Sequence, residues 1–245
     1  MKIKAPESIS FAETSFCPGC GHGIVARLIG EVMEEMGLTE KLLTVVDVAC
    51  ASLNIDTWRF DTIMAAHGRP IATAIGVKKV RKDNPVLAYL GDGAAYSIGI
   101  AETMYGALRN DNVVAIVINN GVFGMTGGQM APTTLEGQKT STSIKGRDIS
   151  KTGKPFDVVK VLGDLDVAYL ARSSVSNATD IKKTKKYIRK AFEKHMNNEG
   201  YCLVEILSPC PTNLGMKPVR CAERVDKVVA DYYKTGEYID KEGIQ

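Results

Sequence analysis

Two short polar motifs have the residue types of a metal-bridged phosphate site. The motif GDG (residues 91–93) follows an apolar run at residues 86–90, and NN (residues 119–120) ends the next clear apolar run, at residues 113–119. Glycines at a strand-to-helix turn let backbone N–H groups approach a phosphate. Oxygens such as those of Asp92 and of an asparagine suit Mg²⁺. GDG alone is also an ordinary turn, so the prediction of a magnesium–diphosphate site depends on both motifs together.

A second motif, CPGCGHG at residues 17–23, places two cysteines in a loop of glycine and proline. A redox pair of the thioredoxin type would follow a strand, and no strand is predicted before this loop. A zinc site completed by His22 or by later cysteines fits the spacing. An iron–sulfur site held by thiolates fits it equally well. The spacing leaves these two alternatives open.

Length and composition indicate the class of protein that carries these motifs. The 245 residues are 44% hydrophobic and 24% charged, which is an ordinary globular composition. The 31 Lys and Arg residues against 28 Asp and Glu give a net charge of +3, too small to indicate nucleic-acid binding. The chain has no apolar run near the ~20 residues of a membrane span, and residues 1–13 lack the apolar stretch of a signal peptide. We therefore expect a soluble, cytoplasmic protein whose six cysteines are ligands or core residues rather than disulfides.

Strands and helices alternate along the chain. Apolar runs predict strands at residues 43–48, 86–90, 113–119, 167–171 and 202–207. Helical patterns lie between them, at about residues 72–81, 98–109, 156–162 and 180–197. This alternation predicts an α/β fold, a parallel sheet with helices on both faces. Ligands of such sheets bind at the carboxyl ends of the strands, which is where GDG and NN lie.

Two further stretches lead to expectations of their own. Residues 119–155 show no periodicity but contain seven glycines and nine Ser or Thr residues, so we expect a functional loop rather than a surface insertion. The predicted helix 180–197 carries seven Lys or Arg residues, and its apolar residues recur at helical spacing. We therefore expect its basic side chains to face solvent, with a docking surface for an acidic partner as the alternative. His195 in this helix is expected to pack rather than to do chemistry.

The motifs together resemble the β subunit of 2-oxoacid:ferredoxin oxidoreductases, which are thiamine diphosphate enzymes. The stretches that carry the resemblance are FCPGCGHG, VACAS, AAHGRP, GDGAAYSIGIAE, INNGVFGMTGGQMAPTT and EILSPCPTN. The short β subunits acting on 2-oxoisovalerate or 2-oxoglutarate are the most similar, particularly through GMTGGQMAPTT. The resemblance implies a thiamine-diphosphate-binding domain of the diphosphate type over residues 1–245. A cluster loop at about residues 15–23 and a C-terminal extension at about residues 208–245 would belong to it.

The resemblance also implies the contacts of the cofactor. Mg²⁺ would be bound by Asp92, Asn120 and the backbone carbonyl of Val122, while Gly93 and Ala94 would donate backbone N–H groups to the diphosphate. The remaining positions implied to lie at the cofactor are Ala49, Cys50, Ala51, His67, Gly91 and Gly124. For His67 a purely structural role is the alternative.

A 4Fe–4S cluster is the second group implied by the resemblance. Its ligands would be Cys17, Cys20, Cys50 and Cys210. Cys210 lies past a strand end between two prolines, in a rigid loop, whereas Cys202 begins an apolar strand and is expected in the core. Cys221 is expected to be a spare thiol. His22 is expected to donate a hydrogen bond near the cluster rather than to bind iron.

The implied reaction is oxidative decarboxylation of a 2-oxo acid with coenzyme A, giving an acyl-CoA and CO₂ and reducing ferredoxin. Leu53 and Met125 are expected near the substrate, and their apolar character favours a branched-chain acid such as 2-oxoisovalerate over 2-oxoglutarate or pyruvate. Some relatives carry asparagine at the position of Met125.

The resemblance further implies an α subunit that supplies the glutamate activating the cofactor. Glu102 is the one nearby candidate in this chain, and it is expected on the wrong side of its helix. A γ subunit and a ferredoxin-like subunit are expected as further partners. The alternatives are a non-redox thiamine diphosphate lyase or carboligase, and a non-enzymatic subunit with a structural zinc site.

Overall fold

The computed structural model describes residues 6–10 and 14–241. Most of the N-terminal stretch considered for a signal peptide, and the last four residues of the expected C-terminal extension, lie outside the described residues. The strands in chain order are β1 (Leu43–Asp47), β2 (Asp61–Ala65), β3 (Val86–Gly91), β4 (Val114–Asn119), β5 (Val122–Phe123), β6 (Gln129–Met130), β7 (Tyr169–Ser174), β8 (Cys202–Leu207) and β9 (Gly236–Asp240). The α-helices are α1 (Gly21–Glu35), α2 (Pro70–Val80), α3 (Ile100–Leu108), α4 (Ile149–Thr152), α5 (Val158–Leu162), α6 (Ala178–Met196), α7 (Pro211–Leu214), α8 (Pro218–Arg224) and α9 (Ala230–Tyr232).

Across the described ranges, seven strands form one sheet in the order β2-β1-β3-β4-β8-β7-β9. All neighbouring pairs are parallel except β7 and β9, which are antiparallel. The short strands β5 and β6 pair with each other outside this sheet. The predicted fold class, a parallel α/β sheet, is therefore confirmed, with β2 and the antiparallel edge strand β9 as additions that the periodicity did not indicate.

Each face of the sheet has its own hydrophobic core. Along β3, Leu87 and Tyr89 join the core formed with α1 and α6, whereas Val86, Ala88 and Leu90 join the core formed with α2, α3 and α5. Every residue of β4 is buried as well. Helices therefore cover both faces, which explains why the central strands are continuous apolar runs rather than alternating ones.

Helix α1 was not predicted. The cysteine motif directly before it was interpreted as a ligand loop, and the helical spacing that follows the motif was not used. The helix begins at Gly21, so it overlaps the end of the expected cluster loop at 15–23. Its buried residues include Val25, Ile29 and Val32, which recur at helical spacing and face α6 and the sheet. The backbone carbonyl of Ala26 accepts a hydrogen bond from the indole N–H of Trp58 at 3.1 Å.

The basic side chains of α6 do not simply face solvent, so that expectation was wrong in part. Lys185 pairs with Glu31 and Glu35 of α1, each at 2.7 Å. On the other side of the helix, Lys190 pairs with Glu237 at 2.8 Å and with Asp240. These ion pairs join α6 to α1 and to β9 within the chain, which is a use of charge that helix periodicity alone does not reveal.

The imidazole of His195 is structural, as predicted. It is fully buried, its Nε2 accepts the backbone N–H of Val86 at 3.0 Å, and its Nδ1 lies 3.0 Å from Oδ1 of Asn112. Since Nε2 accepts, Nδ1 carries the proton and donates it to the asparagine oxygen. Burial lowers the pKa of His195 to about 3, in keeping with a neutral ring.

One buried arginine, Arg147, links the two halves of the stretch 119–155, which has only short regular elements. The guanidinium of Arg147 donates to the carbonyls of Ala131, Pro132 and Thr134, with the Pro132 bond at 2.7 Å. It also donates to carbonyls within residues 152–154. The two halves of the loop are thereby fixed to each other. Among the helices described, none is long and apolar enough to cross a membrane.

Candidate functional site

A cleft opens at the carboxyl ends of four adjacent parallel strands, β2, β1, β3 and β4. Every residue expected at the cofactor lines it, and the full lining consists of His22, Asp47, Ala49, Cys50, Ala51, His67, Gly91, Asp92, Gly93, Ala94, Asn120, Val122, Phe123 and Gly124. The GDG and NN motifs meet here because β3 and β4 are neighbours with Gly91 opposite Ile118. Carboxyl-end clefts of this kind are the usual ligand sites of parallel sheets.

Asp92 is the acidic group at the centre of the cleft wall, and its side chain is almost fully buried. Its Oδ2 accepts the backbone N–H of Gly121 at 3.0 Å and the hydroxyl of Thr133. Burial raises the pKa of Asp92 to about 7, although these bonds and that from the N–H of Gly93 oppose the shift. Among the described residues no cation pairs with this carboxylate, so a divalent ion would supply the countercharge that its surroundings lack.

Asn120 lies next to Asp92 at the end of β4 and is partly exposed to the cleft. Its Oδ1 accepts the backbone N–H of Val122 at 3.2 Å, which orients the side chain. Gly121, between Asn120 and Val122 in the chain, has a φ of +72°, a conformation that favours glycine. The turn 120–122 is bonded to Asp92 through the N–H of Gly121, and Asn120, Val122 and Asp92 line the same cleft, where their oxygens are of the types that bind Mg²⁺.

The glycines of the cleft permit close approach of neighbouring groups. A Cβ atom at Gly93 would lie 2.4 Å from Cε1 of Phe123, so only glycine allows the phenyl ring to pack on this turn. A Cβ atom at Gly124 would lie 3.1 Å from Sγ of Cys50 and 3.8 Å from Nδ2 of Asn120. Gly124 therefore lies between the predicted magnesium ligands and one of the predicted cluster cysteines.

His67 reaches the cleft from the turn after β2, and Asp47 at the end of β1 orients it. Nδ1 of His67 lies 2.8 Å from Oδ2 of Asp47, and Oδ1 of Asp47 accepts the backbone N–H of Gly68 at 2.7 Å. Asp47 is fully buried. Sequence analysis missed it, although a lone aspartate at the end of an apolar strand is a signal of this kind of role.

The four cysteines predicted to bind a cluster come together beside the cleft. Cys17 is exposed, Cys20 and Cys50 are partly exposed, and Cys210 is buried. Burial raises the pKa of Cys20 to about 12, and the negative charges of Cys210, Cys50 and Cys17 raise it further. Burial raises the pKa of Cys50 to about 11, again with contributions from Cys210 and Cys17. A Cβ atom at Gly124 would lie 3.1 Å from Sγ of Cys50 and 3.5 Å from Nδ2 of Asn213, which donates to Sγ of Cys210, so these two thiols lie on either side of the same turn.

The spacing of these thiols bears on the kind of metal that they could hold. Within residues 6–10 and 14–241, no group of three or more His, Cys, Asp or Glu side chains is close enough to hold a single metal ion. Cysteine thiolates are the usual ligands of iron–sulfur clusters, so the residue types of this group fit such a cluster.

The C-terminal segment covers the cysteine loop. A Cβ atom at Gly19 would lie 2.4 Å from Cβ of Pro218, the first residue of α8. The backbone N–H of Gly21 donates to the carbonyl of Pro209 at 3.3 Å. The segment that carries Cys210 is therefore packed on the CxxC loop, which explains how a cysteine far along the chain reaches the other three.

The remaining cysteines and His22 have structural surroundings. Cys202 is fully buried in the core, where its Sγ donates to the carbonyl of Gly200 at 3.6 Å, so its expected core position is confirmed. Cys221 is buried in α8, and burial raises its pKa. Nδ1 of His22 lies 2.8 Å from the hydroxyl of Tyr89, and burial lowers the pKa of His22 to about 4.

Three other residues named by the sequence lie away from the cofactor cleft. Leu53 is partly buried against the core, and Met125 is 48% exposed beyond the cleft. Glu102 lies on α3 and pairs with Arg69 at 3.0 Å. It lines a separate hollow between α2 and α3, so it does not face the cofactor cleft.

Thr133, Arg147 and Asn213 were also missed by sequence analysis. Thr133 donates to Asp92 across 41 positions of sequence. Asn213 donates to the carbonyl of Gly124 at 3.0 Å. In the sequence, Thr133 lies in the APTT stretch of the long loop and Asn213 lies shortly after Ser-Pro-Cys-Pro. Neither pattern indicates a contact by itself.

A buried carboxylate and an amide at the ends of adjacent parallel strands, with a glycine turn between them, define a diphosphate-cofactor domain. The model of the C-terminal TPP binding domain of thiamine pyrophosphate enzymes matches residues 45–206. Among similar proteins, the VorA subunit of ketoisovalerate oxidoreductase from Methanothermobacter thermautotrophicus is 40% identical over 202 residues. The KorB subunit of 2-oxoglutarate synthase from Archaeoglobus fulgidus is 34% identical over 205 residues, which cover 84% of this chain and 73% of KorB.

The chain belongs to the thiamine pyrophosphate enzyme family, within the group of subunits of 2-oxoacid oxidoreductases. The alignment with VorA covers 82% of this chain but 42% of VorA, so the chain spans less than half of that relative. A solved structure, 2-oxoglutarate:ferredoxin oxidoreductase from Magnetococcus marinus with 2-oxoglutarate, coenzyme A and succinyl-CoA bound, matches with a TM-score of 0.80 at 23% identity. The match covers 100% of this chain and 88% of that one, and it supports the fold.

Proposed function

We propose that the chain is the thiamine-diphosphate-binding β subunit of a 2-oxoacid:ferredoxin oxidoreductase. The reaction would be oxidative decarboxylation of a 2-oxo acid with coenzyme A to an acyl-CoA and CO₂, with ferredoxin as electron acceptor. The observation that carries the proposal is that a proposed magnesium ligand and a proposed cluster ligand both lie close to Gly124. At Gly124, a Cβ atom would lie within 3.1 Å of Cys50 Sγ and 3.8 Å of Asn120 Nδ2. A non-redox lyase has no use for four thiols at this place.

In this proposal Asp92, Asn120 and the carbonyl of Val122 would hold Mg²⁺, which would supply positive charge for the diphosphate. The backbone N–H of Ala94, in the helical turn before α3, would donate to the diphosphate, and Gly93, whose N–H bonds to the Asp92 carboxylate, would lie beside it. When bound, thiamine diphosphate supplies the carbanion chemistry of decarboxylation. The chain's own residues would bind and orient it, and the Mg²⁺ that they hold would neutralise the diphosphate.

The other cleft residues would complete the cofactor site. His67, held by Asp47, faces the cleft from the β2 side. Gly91 ends β3 at the cleft wall, and the residues of the loop after β1 that line the cleft are Ala49, Cys50 and Ala51. Because these groups come from three strand ends, they are positioned by the sheet rather than by flexible loops.

Cys17, Cys20, Cys50 and Cys210 would hold a 4Fe–4S cluster at the edge of the same cleft. When bound, the cluster supplies one-electron transfer to ferredoxin. The chain holds the four thiols on three separate elements, the CxxC loop, the turn after β1 and the turn after β8. We further propose that the whole chain works as one domain, in which the segment from residue 208 closes over the cysteine loop.

The substrate we propose is a branched-chain 2-oxo acid such as 2-oxoisovalerate. The 40% identity with a ketoisovalerate oxidoreductase subunit supports this choice, and the described residues that line the cleft include no Lys or Arg. A second substrate carboxylate, as in 2-oxoglutarate, would need such a cation. That Leu53 and Met125 lie near the bound substrate stays a prediction.

An α subunit is proposed as the obligate partner, with γ and ferredoxin-like subunits completing the complex. Activation of thiamine diphosphate requires a carboxylate at its aminopyrimidine ring. Glu102 pairs with Arg69 outside the cleft, so it does not meet this need. The activating glutamate would therefore come from the partner.

The test is anaerobic purification of the full chain, followed by iron, sulfide and zinc analysis and a thiamine diphosphate binding assay with Mg²⁺. The proposal expects a brown protein that dithionite bleaches, with about four irons and four sulfides per chain, and Mg²⁺-dependent cofactor binding. A colourless protein with stoichiometric zinc would instead identify a structural zinc subunit. Cofactor binding without iron would identify a non-redox lyase or carboligase.

A further inference from the structure

We infer that Asn213 is a positioning residue that donates a hydrogen bond to the Cys210 sulfur and thereby raises the reduction potential of the cluster. The inference rests on the proposed function, since it needs the cluster to be bound at Cys210. It concerns a residue outside the four thiols and outside the residues proposed to hold magnesium.

The first support is the geometry of the side-chain amide. Nδ2 of Asn213 lies 3.4 Å from Sγ of Cys210 and 3.0 Å from the carbonyl oxygen of Gly124. An amide nitrogen carries two N–H donors, and here each has an acceptor. The flipped amide would place its oxygen against a carbonyl oxygen and a sulfur, both acceptors, so this orientation is the favourable one.

The second support is that the backbone fixes Asn213 in this place. Asn213 lies in α7, a single turn that begins with Pro211 directly after Cys210 and is followed by Gly215 in the left-handed conformation. The backbone N–H of the next residue, Leu214, donates to the carbonyl of Cys210 at 3.2 Å, which closes the turn. The sulfur is therefore approached by the side-chain amide of a residue that a closed turn holds in place, and substitution can remove this donor.

The third support is the close packing on the other side of the amide. A Cβ atom at Gly128 would lie 2.8 Å from Oδ1 of Asn213, and Gly128 has a φ of +78°. Only glycine at this position lets the turn after β5 approach the amide so closely. Asn213 thus joins the thiol group to the turn that carries Gly124, between the two proposed cofactors.

The physical consequence follows from charge. A reduced cluster carries one more negative charge than the oxidised cluster, so a donor aimed at a ligand sulfur stabilises the reduced form more. Removing the side-chain donor should shift the reduction equilibrium toward the oxidised form. We expect a shift of about tenfold in the equilibrium constant, which is about 59 mV for one electron.

The experiment is redox titration of the cluster in the anaerobically purified full chain, followed by visible absorbance and EPR. Asn213→Leu removes the donor at similar volume, and Asn213→Asp replaces it with a negative charge at almost unchanged shape. Thr212→Val is the matched control, because Thr212 is an exposed neighbour in the same turn. Iron and sulfide contents, together with circular dichroism, report whether each variant is assembled and folded.

The expected result is a lower midpoint potential in Asn213→Leu, a further drop in Asn213→Asp, and no change in Thr212→Val. If Asn213→Leu does not assemble a cluster, Asn213→Asp decides the matter. An unchanged potential in a cluster-containing Asn213→Leu or Asn213→Asp variant overturns the inference. Absence of a cluster from the wild-type chain would overturn the proposed function instead, so the two failures are distinguishable.

Discussion

A buried ion pair between β7 and β8 allows a direct test of how much a compensated charge contributes to the stability of the sheet next to the site. Arg172 on β7 and Glu205 on β8 are each 1% exposed and form an ion pair through Nε and Oε2. Oε1 of Glu205 accepts from Nδ2 of Asn119 at 3.0 Å, so the pair supports the end of β4 next to Asn120. The Arg172 guanidinium also bonds Asp157 at 2.6 Å.

Replacing Arg172 with methionine would keep most of the side-chain volume but leave Glu205 buried without its cation. Removing one partner of a buried pair costs about 3–5 kcal/mol, because the remaining charge is uncompensated. We expect a loss of that size in the free energy of unfolding. The measurement is urea unfolding of the full chain, followed by circular dichroism and tryptophan fluorescence, with Trp58 as the chain's single tryptophan.

Two further variants separate charge from packing. The double variant Arg172→Met with Glu205→Met removes both buried charges of the pair but leaves Asp157 and the amide of Asn119 without these partners, so it should recover part of the loss. Arg189→Met is the surface control, since it removes only the exposed pairs with Glu35 and Glu193 and should cost less than about 1 kcal/mol. A loss below about 1 kcal/mol in Arg172→Met, or no recovery in the double variant, would refute the reasoning.

The remaining predictions address the site, the cluster, pH and the partner. Asp92→Ala should abolish Mg²⁺-dependent thiamine diphosphate binding, measured by calorimetry, and leave the cluster absorbance intact; binding at wild-type affinity would contradict the magnesium assignment. Cys210→Ser should lose or damage the chromophore and Cys221→Ser should keep it, and the opposite pattern would exchange their roles. Because burial lowers the pKa of His195 from 6.5 to about 3, the unfolded chain binds the extra proton below pH 6.5. Stability should therefore fall with decreasing pH by up to about 1.4 kcal/mol per unit. His195→Gln should reduce this slope in urea titrations, and an equal slope would contradict it. The chain alone should show no 2-oxo-acid-dependent reduction of a viologen dye until the α partner is added, and turnover without it would locate the activating carboxylate in this chain.

The sequence predicted those parts of the fold that depend on local pattern. The expected strand at 202–207 coincides with β8, and the run at 113–119 contains β4, because both are continuous apolar segments bounded by polar residues. The GDG and NN motifs were placed at strand ends for the same reason, and the structure brings them to one cleft. The strand at 167–171 lies slightly before β7, as expected from the low precision of pattern-based boundaries.

Other parts could not be predicted from local pattern, because they are contacts between distant segments. The ion pairs of α6 depend on how α1 and β9 pack beside it, and helix spacing alone suggested solvent. The loop 119–155 contains only short regular elements, and Arg147 links its two halves by donating to backbone carbonyls on both sides of it. A single arginine in a polar loop gives no sign of such a role.

The sequence by itself determined the α/β class and the residue types of the site, since hydrophobic periodicity and motif spacing are properties of neighbouring residues. Only the tertiary structure decided that Thr133 bonds Asp92, that Asp47 holds His67, and that Asn213 lies between Cys210 and the cleft. The physical reason is that a hydrogen bond is directional and effective over about 3 Å. The partners of these bonds are chosen by the packing of the sheet and its loops, which no stretch of adjacent residues encodes.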